Sequence, residues 1–307
     1  MTKRRIFLRS ATILFCVFML LCAVVFPAEA AESIMSSLSL AVRRVVPSLF
    51  VFSALAALFA RIGLFTRAGR LGRLFGLSPA CTAVALCGLL CGFPTSAVCA
   101  HALWESGEAD AGEMRAVLPF CSNAGMAFVV GAVGGGMLGS RRAGYMLFLM
   151  QTVLSIVFIL LFCRSKSAAV LPVRAKKESL SHALVASVSA AGGAMLAVCA
   201  FIAFFGAAAD MICLVFPSVP PLLRAVICSF FEISRGCAEF SGAAELSPLL
   251  RYVGVAFALG FSGVSVACQI SERAGKISLS ILPYLAKKLI FGLAMAASGG
   301  IFAIFVL

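Results

Sequence analysis

Apolar residues fall in long blocks along this chain, not in alternation, and charged residues collect between the blocks. Uncharged or nearly uncharged runs cover 10–28, 45–60, 74–104, 116–140, 143–163, 179–209, 252–271 and 289–307. About 20 apolar residues cross a bilayer as a helix, so most of these runs predict one crossing each. The run 74–104 is long enough for more than one crossing, or to enter and leave by the same side. A less regular stretch, 211–240, carries Arg224, Glu232, Arg235 and Glu239 among apolar residues. The pattern predicts an all-α, polytopic membrane protein.

Two of the runs are broken in similar ways. One break is Gly92-Phe93-Pro94-Thr95-Ser96 and the other is Gly260-Phe261-Ser262-Gly263-Val264-Ser265. Each is followed at the same spacing by a glycine, Gly107 and Gly275, and then by Leu118-Pro119-Phe120 or Leu282-Pro283-Tyr284. A break at membrane depth frees backbone groups that lipid cannot satisfy, so it must be buried in protein or line a polar cavity. Two such breaks in corresponding positions point to two internal repeats, with broken or re-entrant helices near the membrane midplane and a binding site between them.

The halves match beyond the breaks. Glu32-Ser33 opens a stretch ending at Phe59, and Glu178-Ser179 opens one ending at Phe205. Pro47 in the first, and Gly192-Gly193 in the second, loosen the helix early. Spans at 143–163 and 284–306 close the halves. This divides the chain into an N-terminal span (1–31), a first repeat (32–163), a basic linker (164–177) and a second repeat (178–307). The second repeat carries an insertion at 217–246. Its charges either face a bundle interior or lie among headgroups, and the sequence leaves both open.

Charge sets the orientation. Lys3-Arg4-Arg5, then Arg61, Arg67, Arg70 and Arg73, then the basic residues of 164–177 cluster in short loops, the positive-inside pattern. The formal net charge of +13 therefore belongs to topology, and nucleic acid is not an expected partner. If all three clusters are cytoplasmic, the crossings between them are even in number, and 78–104 is the best candidate for a re-entrant segment. Residues 1–31 resemble a signal sequence with Ala28-Glu29-Ala30 at its end, but the long apolar stretch Ala11 to Phe26 reads as a retained span.

Composition agrees. Of 307 residues, 62% are hydrophobic and 12% charged, where soluble domains have about a quarter charged. Thirteen cysteines are scattered through apolar runs without metal-ligand spacing, and read as small apolar side chains. No metal or cofactor is expected. Two histidines and no Gly-rich loop followed by Lys give no catalytic set and no ATP site, so an enzyme is not expected.

The breaks offer binding chemistry instead. A broken helix presents N-terminal N–H groups with partial positive charge, a site for anions. Thr95 and Ser96 follow Pro94, and Ser262 and Ser265 hold similar places in the second half. Gly263 permits close backbone approach. A third break, Cys121-Ser122-Asn123-Ala124-Gly125, places Ser122 and Asn123 at membrane depth. Gln269, aligned with His101, offers a donor and an acceptor. The competing explanation is helix packing through small residues, which suits Gly134-Gly135-Gly136 and Gly299-Gly300 better.

Several stretches resemble the YlbJ (SpoVV) family of sporulation integral membrane proteins, within the Gate or nucleoside-recognition superfamily. They are Val46-Pro47-Ser48-Leu49-Phe50, Gly92-Phe93-Pro94, Ser122-Asn123, Phe231-Glu232-Ile233-Ser234-Arg235-Gly236 and Leu259-Gly260-Phe261-Ser262-Gly263-Val264-Ser265-Val266. The resemblance implies a role in endospore formation, in the cell membrane or the outer forespore membrane. It implies movement of dipicolinic acid, a small organic anion, out of the mother cell toward the forespore. Residues expected to bind substrate are Gly92 to Ser96, Ser122, Asn123, Glu232, Ser234, Arg235, Gly260 to Gly263, Ser265 and Gln269. Besides the lipid bilayer, the expected partners are further copies of the chain or other spore membrane proteins. A nucleoside-type transporter and a non-transporting scaffold of spore assembly are the alternatives. The nucleoside reading expects Asn123, Gln269 and Glu232 on the ligand and Arg235 dispensable.

Overall fold

The computed structural model describes residues 3–64, 72, 74–163 and 179–305. Arg67, Arg70, Arg73 and the linker 164–177 lie outside the described residues. Within them the chain is helical, without strands. Four helical segments are long and apolar enough to cross a membrane: Arg141–Phe162, Leu180–Val215, Pro248–Ile277 and Ile281–Phe302. A fifth is added if the bent pair Arg9–Val25 and Pro27–Val45 counts as one. Exposed Leu14, Leu20 and Val24 on the first helix suit lipid, not water.

The helices α1 (Lys3–Val25) and α2 (Pro27–Leu40) meet at Phe26, with a turn of 109°. Pro27 explains the corner, because its ring cannot continue the preceding helix but suits the first position of a new one. A π-turn, Ala41–Val45, joins α2 to α3 (Val46–Arg61) just before Pro47 removes a backbone donor.

Helices α4 (Pro79–Cys91) and α5 (Thr95–Glu105) follow, separated only by Gly92-Phe93-Pro94 and packed on each other as a hairpin. Ser78 caps α4 by accepting from Cys81 N at 3.0 Å, and Pro79 occupies the first turn. Next come α6 (Ala111–Cys121), a non-helical stretch 122–125, and a π-helix, Ala127–Met137. Helix α7 (Arg141–Phe162) closes this half, near the expected 143–163.

The second half opens with the long α8 (Leu180–Val215), capped by Ser179. Helices α9 (Pro221–Phe231) and α10 (Ile233–Gly242) form a second hairpin with Glu232 as its whole turn. Arg224, early in α9, pairs with Glu239, late in α10, at 3.0 Å, which fixes the two helices antiparallel. Helices α11 (Pro248–Phe261) and α12 (Gly263–Ala274) are interrupted at Ser262, and α13 (Ile281–Phe302) ends the described chain.

The segment 217–246, read from the sequence as an insertion, contains α9 and α10 and so forms the second hairpin. The breaks at 92–96 and 260–265, paired in the sequence, also differ in geometry. The first is the turn of a hairpin, whereas α11 and α12 run on within one apolar stretch, Pro248–Ile277. Gly, Pro and hydroxyl residues weaken a helix in both places, but packing decides whether the chain reverses. The turn at Gly92-Phe93-Pro94 has its likeness at Glu232, and the interruption at Ser262 has its likeness at 122–125.

Close helix contacts rest on small residues. A Cβ on Gly260 would come within 2.8 Å of the Gly292 Cα, so α11 and α13 approach at that level through glycine. Cys81, Cys87, Cys121 and Cys237 are fully buried in the same role.

Candidate functional site

Each hairpin tip abuts an interrupted helix. At the first tip, Phe93 N donates to Asn123 O at 2.9 Å. Gly92 has φ +76°, and a Cβ there would lie 2.7 Å from Gly125 N, so the approach and the backbone both require glycine. Pro94 O accepts from Ala97 N, turning the chain into α5. Thr95 Oγ1 lies 3.1 Å from Ser53 Oγ on α3, and Ser96 Oγ lies 2.6 Å from Ser122 Oγ. All four hydroxyls are buried.

The second tip meets its interrupted helix at a glycine. Gly263, at φ +79°, has no room for a Cβ, which would sit 2.9 Å from Ser229 O. Ser262 is left-handed at φ 66° and donates to Leu259 O at 3.0 Å. Glu232 Oε2 accepts from Arg235 N at 2.8 Å, so the turn residue also caps α10.

A cavity lies where the tips and the interruptions come together. Phe93, Ala124, Gly125 and Phe128 line it from the first half. Glu232, Ile233, Ser234, Val266 and Gln269 line it from the second, and Val45, Leu49 and Ile202 complete the wall. Glu232 and Gln269 are buried, and Glu232 Oε1 and Gln269 Oε1 have no hydrogen-bond partner. Gln269 Nε2 donates to Ser265 Oγ at 3.2 Å, which orients the amide. Buried polar atoms are nearly always paired, so these two oxygens stand out among the residues that line the cavity.

Phe93, Glu232, Ser234 and Gln269 thus share one cavity, and Gly92 and Gly263 set the contacts beside it. Gly260 and Phe261 pack elsewhere: Gly260 against α13, and Phe261 stacked on Phe257 with centroids 5.7 Å apart. His101, aligned in sequence with Gln269, lies instead beside Gly275. Arg235 does not line the cavity. Its Nη2 pairs with Asp210 on α8 at 2.7 Å and donates to Ser36 Oγ on α2 at 2.5 Å. Ser33 on α2 donates to the same Asp210 carboxylate.

Asn123 is occupied structurally. Its Nδ2 donates to Phe120 O at 2.9 Å and to Ser155 Oγ at 2.6 Å. Its Oδ1 accepts from Lys288 Nζ at 2.9 Å. Gln151 Nε2 supports the same stretch by donating to Ala124 O at 2.9 Å. Sequence reading passed over Lys288, Gln151 and Ser155. The available signal was a lysine seven residues into an apolar closing helix.

No family model matches the chain, and no curated protein matches it. A solved structure of a CNTnw variant in the intermediate 3 state is similar, with a TM-score of 0.56 over 96% of this chain and 85% of that chain. The two chains share a fold. At 14% sequence identity the likeness is one of fold alone.

Proposed function

We propose that this chain is a membrane transporter for a small organic solute, bound where the two hairpin tips meet the two interrupted helices. The observation that carries this reading is that Glu232 and Gln269, two residues lining the cavity at that junction, each hold a buried side-chain oxygen, Oε1, without a partner. The element order supports it too. A long helix, a hairpin, an interrupted helix and a closing helix occur twice, as α2–α3 to α7 and as α8 to α13. If both hairpins are re-entrant, and if α2–α3 and the segment 111–137 each count as one crossing, each unit crosses three times, the odd number that inverted repeats around a central site need. The chain of similar fold was captured in an intermediate state, as a protein that changes conformation would be.

The wall chemistry favours a neutral polar solute of nucleoside type. Among the described residues no Lys, Arg or His lines the cavity, while carboxylate and amide oxygens can accept from hydroxyl and amino groups. Phe93 and Phe128 give an apolar surface for a flat ring. Arg235, spent on Asp210, is not needed for the ligand.

Dipicolinate is the second reading, on one specific observation: α5 and α12 both begin without a side-chain cap. First turns that no side chain caps suit carboxylates, and the resemblance to sporulation proteins points the same way. Uptake of radiolabelled uridine and dipicolinate into proteoliposomes, with Glu232→Gln alongside, tests both. Uridine uptake lost in the variant supports the nucleoside type. Dipicolinate uptake alone moves the assignment to the anion, and uptake of neither rejects transport by the chain alone in favour of a scaffold.

A further inference from the structure

Lys288 is fully buried on α13, and its surroundings are not those of an ordinary buried lysine. No Asp or Glu pairs with it among the described residues. Its Nζ donates to Asn123 Oδ1 at 2.9 Å and to Ser122 O at 3.4 Å, and lies 5.0 Å from the Phe291 ring centroid. Ser122 is the residue on which α6 ends. The last carbonyls of a helix lack partners within it and carry a partial negative charge. The ammonium is therefore held by neutral oxygens at a helix C-terminal end, beside unwound backbone. Such oxygens hold small monovalent cations at broken membrane helices.

Packing alone does not explain a lysine here. An apolar side chain of similar volume would avoid desolvating an ammonium. The position has a structural consequence instead. The same Asn123 whose Oδ1 binds Lys288 gives its backbone carbonyl to Phe93 N at the first hairpin tip.

We propose that the Lys288 ammonium is a tethered cation, occupying a monovalent-cation site formed by Ser122 O and Asn123 Oδ1 and fixing the stretch on which the first hairpin tip rests. The chain then needs no free alkali cation at this break. Shortening Lys288 opens a site for one, or for a small alkylammonium. The inference goes beyond the transport reading and is tested without any solute. The probe is the melting temperature of the purified full chain in detergent, in sodium, potassium, propylammonium or choline chloride at equal ionic strength.

The wild type is expected to melt alike in all four salts. Lys288→Ala is expected to melt lower in choline and to rise saturably by a few degrees with propylammonium or sodium. Lys288→Met, which fills the space without charge, is expected to melt independently of the cation. A wild type that requires sodium or potassium overturns the proposal. So does a Lys288→Ala variant that responds to no cation or melts like wild type, or a Lys288→Met variant that responds as Lys288→Ala does. Should Lys288→Ala fail to fold, the wild-type series and Lys288→Met decide. A cation-indifferent wild type with a Lys288→Met variant that melts lower in every salt supports the proposal, and a Lys288→Met variant as stable as wild type overturns it.

Discussion

Phe93 N donates to Asn123 O at 2.9 Å, and this bond joins the tip of one helix hairpin to the unwound stretch after α6. It ties two breaks that lie 30 residues apart in the chain into one unit. Asn123 is held in turn by Phe120 O, Ser155 and Lys288, so the tip rests on a stretch fixed from three sides. Ser96 Oγ, 2.6 Å from Ser122 Oγ, adds a second tie between the hairpin and the same stretch.

Gly92→Val tests that contact. Its φ of +76° disfavours any side chain, and a Cβ would meet Gly125 N at 2.7 Å. The left-handed backbone alone costs on the order of 1–3 kcal/mol for a non-glycine residue, and the clash adds to it. The expected result is a lower melting temperature together with loss of solute uptake. Gly107→Val, at a similar φ with open space around it, should lose stability but keep uptake.

Asn123→Leu should be more damaging than its size suggests. It leaves the Lys288 ammonium with Ser122 O as its remaining oxygen partner and deprives Ser155 Oγ of a donor. Leaving a buried donor without its partner costs about 1–3 kcal/mol, and more where the donor is charged. Asn123→Asp keeps an oxygen facing Lys288 and should melt well above Asn123→Leu in the same detergent.

The limits of the sequence follow from physical causes. The closing helices were legible because uncharged runs of their length have one use in a membrane protein. The first hairpin was legible because Gly-Phe-Pro interrupts such a run. The second was not, since its turn is one glutamate between Phe231 and Ile233, with neither Gly nor Pro to announce a reversal. Glu232 therefore read as a charge of uncertain placement, when it is both the cap of α10 and a wall of the cavity. Lys288 was hidden by its neighbour: Lys287, which reaches Arg115 O at 3.5 Å, makes the pair look like the charged edge of a span. Arg235 read as a ligand for an anion because its partner Asp210 is distant in sequence and sits within the apolar α8.

The Arg235–Asp210 pair separates stability from binding. Both side chains are about one-fifth exposed, at 22% and 21%. Such a partly buried pair is screened less than a surface bridge, whose usual coupling is about 0.2–1 kcal/mol. A double-mutant cycle of Arg235→Met and Asp210→Asn, read by melting, should return a coupling at or above the top of that range. The Arg235→Met variant should keep its KM for a nucleoside-type solute, because the guanidinium does not line the cavity. A large rise in KM would place the guanidinium on the ligand and favour the dianion.

Glu232 and Gln269 are the final test, since both line the cavity and each holds a buried oxygen without a partner. Gln269→Leu removes one acceptor and leaves Ser265 without its amide donor. A hydrogen bond lost from a buried site costs about 1–3 kcal/mol when its partner is left unsatisfied. That corresponds to a KM raised roughly 5- to 150-fold, where each 1.4 kcal/mol is a factor of ten. Glu232→Gln keeps an oxygen to cap α10 and should melt near wild type, yet lose uptake because an amide NH2 donor replaces its second acceptor oxygen. If both variants transported normally while melting lower, the two oxygens would be structural, and the solute would have to bind elsewhere along the tips.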